Sequence, residues 1–219
     1  MKIILVCEKK GNEMEQDKNY TILHCHTMLS NGVTNIDSVT TYKQYIDKAK
    51  ECGMKAMAIS EHGSVFEWIH KKTYMESNDI KYIHAEEFYV TKSLDKKIRD
   101  NYHCLLIAKN YQGVLELNKL SSKAFNREDN SYYYVPRISY DDLKSTSDNI
   151  IITTACLGGI LSKGDVDLKN DFFHFILQNK DRCFFELQHH LSQEQINYNK
   201  LLYDKAPIVT GKQIGRAHV

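Results

Sequence analysis

A chain of 219 residues with 42% hydrophobic content and only two prolines can bury one sizeable core, which excludes a disordered or fibrous class. Lys and Arg total 29 against 28 Asp and Glu, so the net charge of +1 leaves no electrostatic footprint of a dedicated nucleic-acid module. Six cysteines stand far apart with no C-x-x-C pair, the usage of reduced thiols in a cytoplasmic protein, and no apolar run approaches the ~18 residues that span a bilayer.

Ile3 to Cys7 is apolar but too short for the core of a signal peptide, and with the polar stretch 8–19 it reads as a leader, 1–19. Tyr20 to Thr27 then reads as a first strand ending in His24-Cys25-His26. Side chains on a strand repeat with period two, so His24 and His26 share a side, where two imidazoles can chelate one divalent metal. Alone, the pair would fit two half-buried strand histidines better, by roughly two to one.

The spacing of Val39, Tyr42, Tyr45, Ile46 and Ala49 predicts a helix over 37–52, with Gly53 where a C-cap belongs. Residues 55–60 form a short buried-type strand running into Glu61-His62-Gly63 and a helical stretch through Trp68 and Tyr74. Residues 82–90 make a third strand and, after a turn holding Lys96, Lys97 and Arg99, residues 102–108 a fourth. A helix over 113–125, a strand over 149–155, a helix over 168–177, a strand over 183–187 and a helix over 193–203 follow, and Pro207 to Thr210 starts a seventh strand. Such alternation implies parallel β/α units in one domain, 20–210. About seven units, with no G-x-G-x-x-G after the first strand, predict a closed or nearly closed β/α barrel.

In such a barrel, chemistry gathers at the C-terminal ends of the strands. Strand one ends in His24 and His26, strand two in Glu61-His62, strand three carries Glu86-Glu87, strand four begins near His103 and strand five runs into Cys156. These side-chain types bind zinc, manganese or iron, and seven of them exceed what one zinc needs. A cluster of two or three divalent ions is the natural inference, and phosphoester hydrolysis its chemistry. His70, His84 and His174 lack a partner at ligand spacing and read as ordinary histidines. His189 and His190 follow strand six as a doublet, so one of them could support the site from behind. Tyr132-Tyr133-Tyr134 reads as packing.

These residues resemble the PHP (polymerase and histidinol phosphatase) domain, in the branch found at the N-terminus of bacterial DNA polymerase III alpha subunits. The resemblance is carried by His24-Cys25-His26-Thr27 with Ser30, Ser60-Glu61-His62-Gly63, Glu87-Phe88-Tyr89-Val90, His103 with Leu105 to Asn110, and Ala155-Cys156-Leu157-Gly158-Gly159. Tyr133 to Ile138 and Phe184 to Gln188 separate the polymerase branch from stand-alone histidinol phosphatases.

The resemblance implies a distorted seven-stranded β/α barrel with metal ligands His24, His26, Glu61, His62, Glu87, His103 and Cys156. It further implies two or three divalent ions, phosphoesterase or 3′→5′ exonuclease activity, and DNA and other replisome subunits as partners through a full-length polymerase. The alternatives are a stand-alone phosphatase and a structural scaffold with an inactive site. Glu61 stands where Asp is usual and Ala85 where Gly is common. After Thr210 the family continues to an Asp-x-His pair, whereas Gly211-Lys212-Gln213 follows here. Residues 214–219 are similar to a translated sequencing adapter, so 211–219 is read as a non-native tail and the barrel as C-terminally truncated.

Overall fold

The structure, a computed structural model, describes residues 4–6, 20–32, 36–95 and 98–210. The polar leader 8–19, Lys96, Lys97 and the tail 211–219 lie outside the described residues. The fold is mixed α/β. Its largest sheet has six strands in the order β6-β7-β4-β5-β8-β9: β4 (Ala85–Thr91), β5 (Tyr102–Ala108), β6 (Tyr132–Tyr133), β7 (Val135–Ser139), β8 (Ile150–Thr153) and β9 (Cys183–Phe184). Two smaller parallel pairs join β1 (Ile4–Val6) to β10 (Glu186–Gln188), and β2 (Ala56–Ala58) to β3 (Lys81–Ile83).

Bridges link these pieces into one wall. Ile22 pairs with Met57, and His62 pairs with Glu87, both parallel. The backbone amide of Ser60 donates to Cys25, and that of Gly63 to Glu87. The 20–27 segment thus lies beside β2, the residues after β2 lie beside β4, and the wall continues through β5 and β8 to β9. Predicted strand three divides at His84 into β3 and β4, and predicted strand six divides at Phe185 into β9 and β10. The hydrogen-bonded pairs form three sheets and not one ring.

One departure from parallel β/α units matters most. β5 runs antiparallel to both β4 and β8. The described residues of the connection 92–101 hold no helix, and a parallel crossover needs a dozen or more residues, so the chain turns straight back. The start of β5 is therefore level with the latter part of β4, and His103 pairs in register with Tyr89. A second departure lies at the C-terminal end: the expected seventh strand at Pro207–Thr210 is instead the end of helix α7 (Gln193–Thr210). A strand needs a neighbour to satisfy its backbone, whereas a helix satisfies its own.

The helices form where local signals place them. α1 (Tyr42–Glu51) starts at a capping box of Thr41 and Gln44, and Gly53 follows its end at φ +73°. α2 spans Trp68–Glu76. α3 (Tyr111–Ala124) is capped by Asn110. α6 (Val166–Gln178), which follows the short helices α4 (Tyr140–Lys144) and α5 (Ile160–Lys163), is capped by Asp165 and buries Leu168, Phe172, Phe175 and Ile176. Those four positions make one stripe at helical spacing. It packs with Phe88, Leu106, Ile138, Ile152 and Phe185 in the main core. Burying four such side chains is worth roughly 6–12 kcal/mol before chain entropy opposes it. A second core joins Ile46 and Ala49 of α1 to Met57, Ile59, Met75 and Ile80.

The tyrosine run forms a tight hairpin, β6–β7, with Tyr134 at its turn. Buried Arg137 clamps it by donating to the carbonyls of Ser131, Asn130 and Ile98.

Candidate metal centre

Glu87 is the hub. On β4 the pleat puts Glu87 and Tyr89 on one face and Glu86 and Phe88 on the other, where Phe88 joins the main core. Glu87 is fully buried, and four imidazoles converge on its carboxylate. Oε1 lies 3.3 Å from His24 Nε2 and 3.3 Å from His103 Nδ1. Oε2 lies 3.1 Å from His26 Nε2 and 2.8 Å from His62 Nδ1. Two possible ligand groups result, His24–His26–Glu87 and His62–Glu87–His103, each with its donor atoms within 4.8 Å of one another, and both share Glu87. Cys156 adjoins the second group, with Sγ 3.3 Å from His103 Nδ1 and 3.8 Å from Glu87 Oε1.

Each element delivers its histidine for a local reason. His24 and His26 sit on an extended segment that ends where Thr27 caps a short 3-10 helix, Met28–Ser30. His62 follows β2, and the chain then turns at Gly63, φ +61°. A Cβ at Gly63 would come within 2.8 Å of Pro136 and 3.1 Å of Tyr89, so only glycine fits. The ring of His62 stacks on His26 at 4.1 Å and faces Tyr89 at 5.5 Å. His103 meets Tyr89 edge-on at 5.2 Å.

The outer nitrogen of three rings is held by a different group. His24 Nδ1 donates to Glu186 Oε1 at 2.5 Å, and Glu186 also accepts from Thr153 Oγ1 and Gln188 Nε2. His26 Nδ1 lies 3.1 Å from Ser30 Oγ, and His62 Nε2 lies 3.3 Å from Asp37 Oδ2. Partners of this kind fix a ring and its tautomer so that the opposite nitrogen is free to take a metal.

Charge follows the geometry. Burial opposes ionisation of Glu87, but the charge of His24 and hydrogen bonds from the imidazoles hold its carboxyl well below the usual carboxylate range. Burial disfavours the His24 cation, yet Glu186 and Glu87 raise that imidazole well above its ordinary value. His103 behaves alike: burial works against its charge, but Cys156 and Glu87 raise it to about 9. Burial lowers His26. The cluster therefore concentrates negative charge that a proton or a divalent cation must balance.

The donor set fits a divalent ion. Glu87 Oε2 and His62 Nδ1 are both buried, and although 2.8 Å apart neither makes an aligned hydrogen bond. Polar atoms orphaned in this way are costly unless something else coordinates them. Imidazole nitrogen, carboxylate oxygen and thiolate are the ligands of zinc and similar borderline metals.

Six of the residues read from the sequence, His24, His26, His62, Glu87, His103 and Cys156, come together here, and Glu61 does not join either group. Its Oε1 accepts from Thr27 Oγ1 at 2.6 Å and Lys71 Nζ at 2.7 Å, and its Oε2 from Thr27 N at 3.0 Å and Ser30 Oγ at 2.5 Å. His189 and His190 stand exposed after β10. The group that reaches His24 from that strand is Glu186, which the sequence reading passed over; the signal was a glutamate between two apolar residues of a buried strand, which needs a partner. Asp37 was also missed and gives no comparable signal.

The chain is thus a mixed α/β fold in which two pairs of histidines share one buried carboxylate. The PHP domain matches residues 23–193, and the chain belongs to that family. The DNA polymerase III subunit alpha of Borreliella burgdorferi is 35% identical over 193 residues, covering 82% of this chain and 16% of that protein. That of Chlamydia trachomatis is 31% identical over 183 residues, covering 79% and 14%. The chain thus spans about one seventh to one sixth of the length of these relatives. Among solved structures, an amidohydrolase from Chromobacterium violaceum aligns at 12% identity over 74% of this chain and 50% of that one, with a TM-score of 0.33.

Proposed function

We propose that this chain is the PHP domain of a replicative DNA polymerase alpha subunit, and that its centre is a multi-metal phosphoesterase site that removes nucleotides from DNA 3′ ends. The observation that carries this reading is the sharing of one buried carboxylate, Glu87, by two pairs of histidines. A carboxylate shared by two ligand groups would hold two ions close together, as two-metal phosphoester cleavage uses them. Similarity to alpha subunits over most of this chain supports a polymerase parent in the cytoplasm, with DNA and other replisome subunits as partners. The wall from the 20–27 segment to β9 supports a distorted β/α barrel as the scaffold.

Bound divalent ions would supply a nucleophile at neutral pH and neutralise phosphate charge. Glu87 with His24 and His26 would hold one ion and Glu87 with His62 and His103 a second, and Cys156 stands beside the latter. Glu186, Ser30 and Asp37 set three of the rings. The stacked faces of His26, His62 and Tyr89 wall one side of the site.

The test is to measure Mn²⁺ and Zn²⁺ content after equilibrium dialysis, and then to follow shortening of a 5′-labelled oligonucleotide. Metal uptake and stepwise 3′ loss, both abolished in Glu87→Gln, are expected. A chain that binds neither metal, or that binds metal and hydrolyses only a small phosphomonoester, would overturn the nuclease assignment.

A further inference from the structure

The side chain that departs from the expected ligand set points to a device behind the site. Lys71 lies on α2 and is 2% exposed, and Glu61 is 1% exposed. A lysine on a short helix ordinarily turns to solvent, because an ammonium in the interior is costly without a partner. Here its Nζ donates to Glu61 Oε1 at 2.7 Å, the one ion pair in which either residue takes part among the described residues. The rest of the Glu61 carboxylate is filled by Thr27 and Ser30. Four donors leave no lone pair directed towards Glu87.

Ser30 is the junction. Its hydroxyl donates to Glu61 Oε2, accepts from the backbone amide of His62 at 3.1 Å, and lies 3.1 Å from His26 Nδ1. One hydroxyl therefore touches both a ring of the first ligand group and the backbone of a residue in the second. Since it gives its only proton to Glu61, it accepts from Nδ1–H of His26, which leaves Nε2, 3.1 Å from Glu87 Oε2 and 3.0 Å from His24 Nε2, as the nitrogen available to a metal. If Glu61 let go, Ser30 Oγ could rotate and donate to Nδ1 instead, and the tautomer of His26 would flip away from the ligand form.

We propose that Lys71 is a positioning residue for the metal centre: it holds Glu61 outside the ligand set and, through Glu61 and Ser30, sets the tautomer and orientation of His26. This rests on the metal-centre reading above and deepens it. In this chain the glutamate at position 61 acts as the counter-ion of a buried lysine and the acceptor for Ser30, and Glu87 alone supplies the central carboxylate.

The test uses the 219-residue chain and two readouts. In the presence of EDTA, ¹⁵N imidazole signals report the tautomer of His26 directly. The parent chain is expected to carry the His26 proton on Nδ1, and Lys71→Met, which keeps the length of the side chain without its charge, is expected to shift the population towards Nε2. Glu61→Gln should shift it likewise, and the double variant, which leaves neither charge buried, guards against misfolding of either single variant. With metal restored, Glu61→Gln is expected to keep the parental number of Mn²⁺ ions per chain while binding them about tenfold more weakly, the usual effect of losing support behind a ligand. Glu61→Gln losing one ion per chain would make Glu61 a ligand and overturn the proposal. So would a His26 tautomer unchanged in all three variants. Should the parent chain bind no metal, the metal-centre reading fails, while the tautomer measurement still decides the role of Lys71.

Discussion

Glu186→Gln is the sharpest perturbation of the centre that leaves every expected ligand in place. The parent carboxylate is fully buried and accepts from His24 Nδ1 at 2.5 Å, Thr153 Oγ1 at 2.6 Å and Gln188 Nε2 at 2.9 Å. Glutamine keeps the shape and one acceptor oxygen but loses the charge, and its amide group would face a donor, Thr153 or Gln188, that needs an acceptor. A hydrogen bond to a charged group is worth about 1.5–3 kcal/mol and a neutral one about 0.5–1.5, so roughly 1–1.5 kcal/mol of support for His24 is lost. Partners behind metal-bound histidines typically contribute 10–100-fold in affinity, about 1.4–2.8 kcal/mol. The two ranges meet near tenfold. Calorimetric titration of the parent and Glu186→Gln with Mn²⁺ at neutral pH should therefore give unchanged stoichiometry and about tenfold weaker binding. Affinity within a factor of two of the parent would refute the claim that Glu186 orients His24. Loss of an ion would make Glu186 itself a ligand.

His84, buried against the Tyr82 hydroxyl at 2.7 Å and Asn118 Oδ1 at 3.0 Å, is pushed down by burial to about 4. Its folded value lies below the unfolded one of about 6.5, so as pH falls the unfolded chain takes the proton first; stability is lost between about pH 6.5 and 4, by at most roughly 3 kcal/mol, and urea melts of His84→Gln should show a shallower acid slope. Arg137→Met should cost about 3 kcal/mol or more, since three carbonyls lose their donor, with faster proteolysis near Tyr132 to Tyr134; an unchanged urea midpoint would refute the clamp. Mn²⁺ at a hundred times its dissociation constant should stabilise the chain by about 2.7 kcal/mol, reversed by EDTA and absent in Glu87→Gln, as read from thermal melts.

What could be read from the sequence was whatever local chemistry fixes. Asn110 and Asp165 cap α3 and α6, and the stripe Leu168, Phe172, Phe175, Ile176 marks the buried face of α6. The apolar run of β5 was read with its bounds, Tyr102–Ala108, but not its direction, because an apolar strand looks the same either way. The ten residues 92–101 were the available signal, being too few for a helical crossover. Pro207 to Thr210 misled because β-branched residues suit strands, and a strand's partner cannot be read from its own residues. At the centre, the histidines stood out as ligand types beside predicted strands, whereas the choice of Glu87 over Glu86 came from the family resemblance. Glu61 was assigned by its place beside His62; what decides its contacts is Lys71, ten residues on and turned inward against the rule for lysine. Glu186 lay hidden inside an apolar strand.

The reversal of β5 and the burial of Glu87 have a joint consequence for the charge balance of the centre. Because β5 runs back along β4, His103 enters from the opposite chain direction to His62, and the two rings approach Glu87 at its two oxygens. Glu186 and Asp37 add two more carboxylates behind His24 and His62, and the ion pairs of all three carboxylates are with imidazoles. Glu61, by contrast, is neutralised by Lys71 and adds nothing to this excess. Imidazole carries positive charge only by binding a proton, so protons and divalent cations compete for the same role at the same atoms. His24, raised well above its ordinary value by Glu186 and Glu87 against the effect of burial, must release a proton for each ion it takes. Metal uptake at the proposed centre is therefore expected to be a proton exchange, favoured by alkali and opposed by acid.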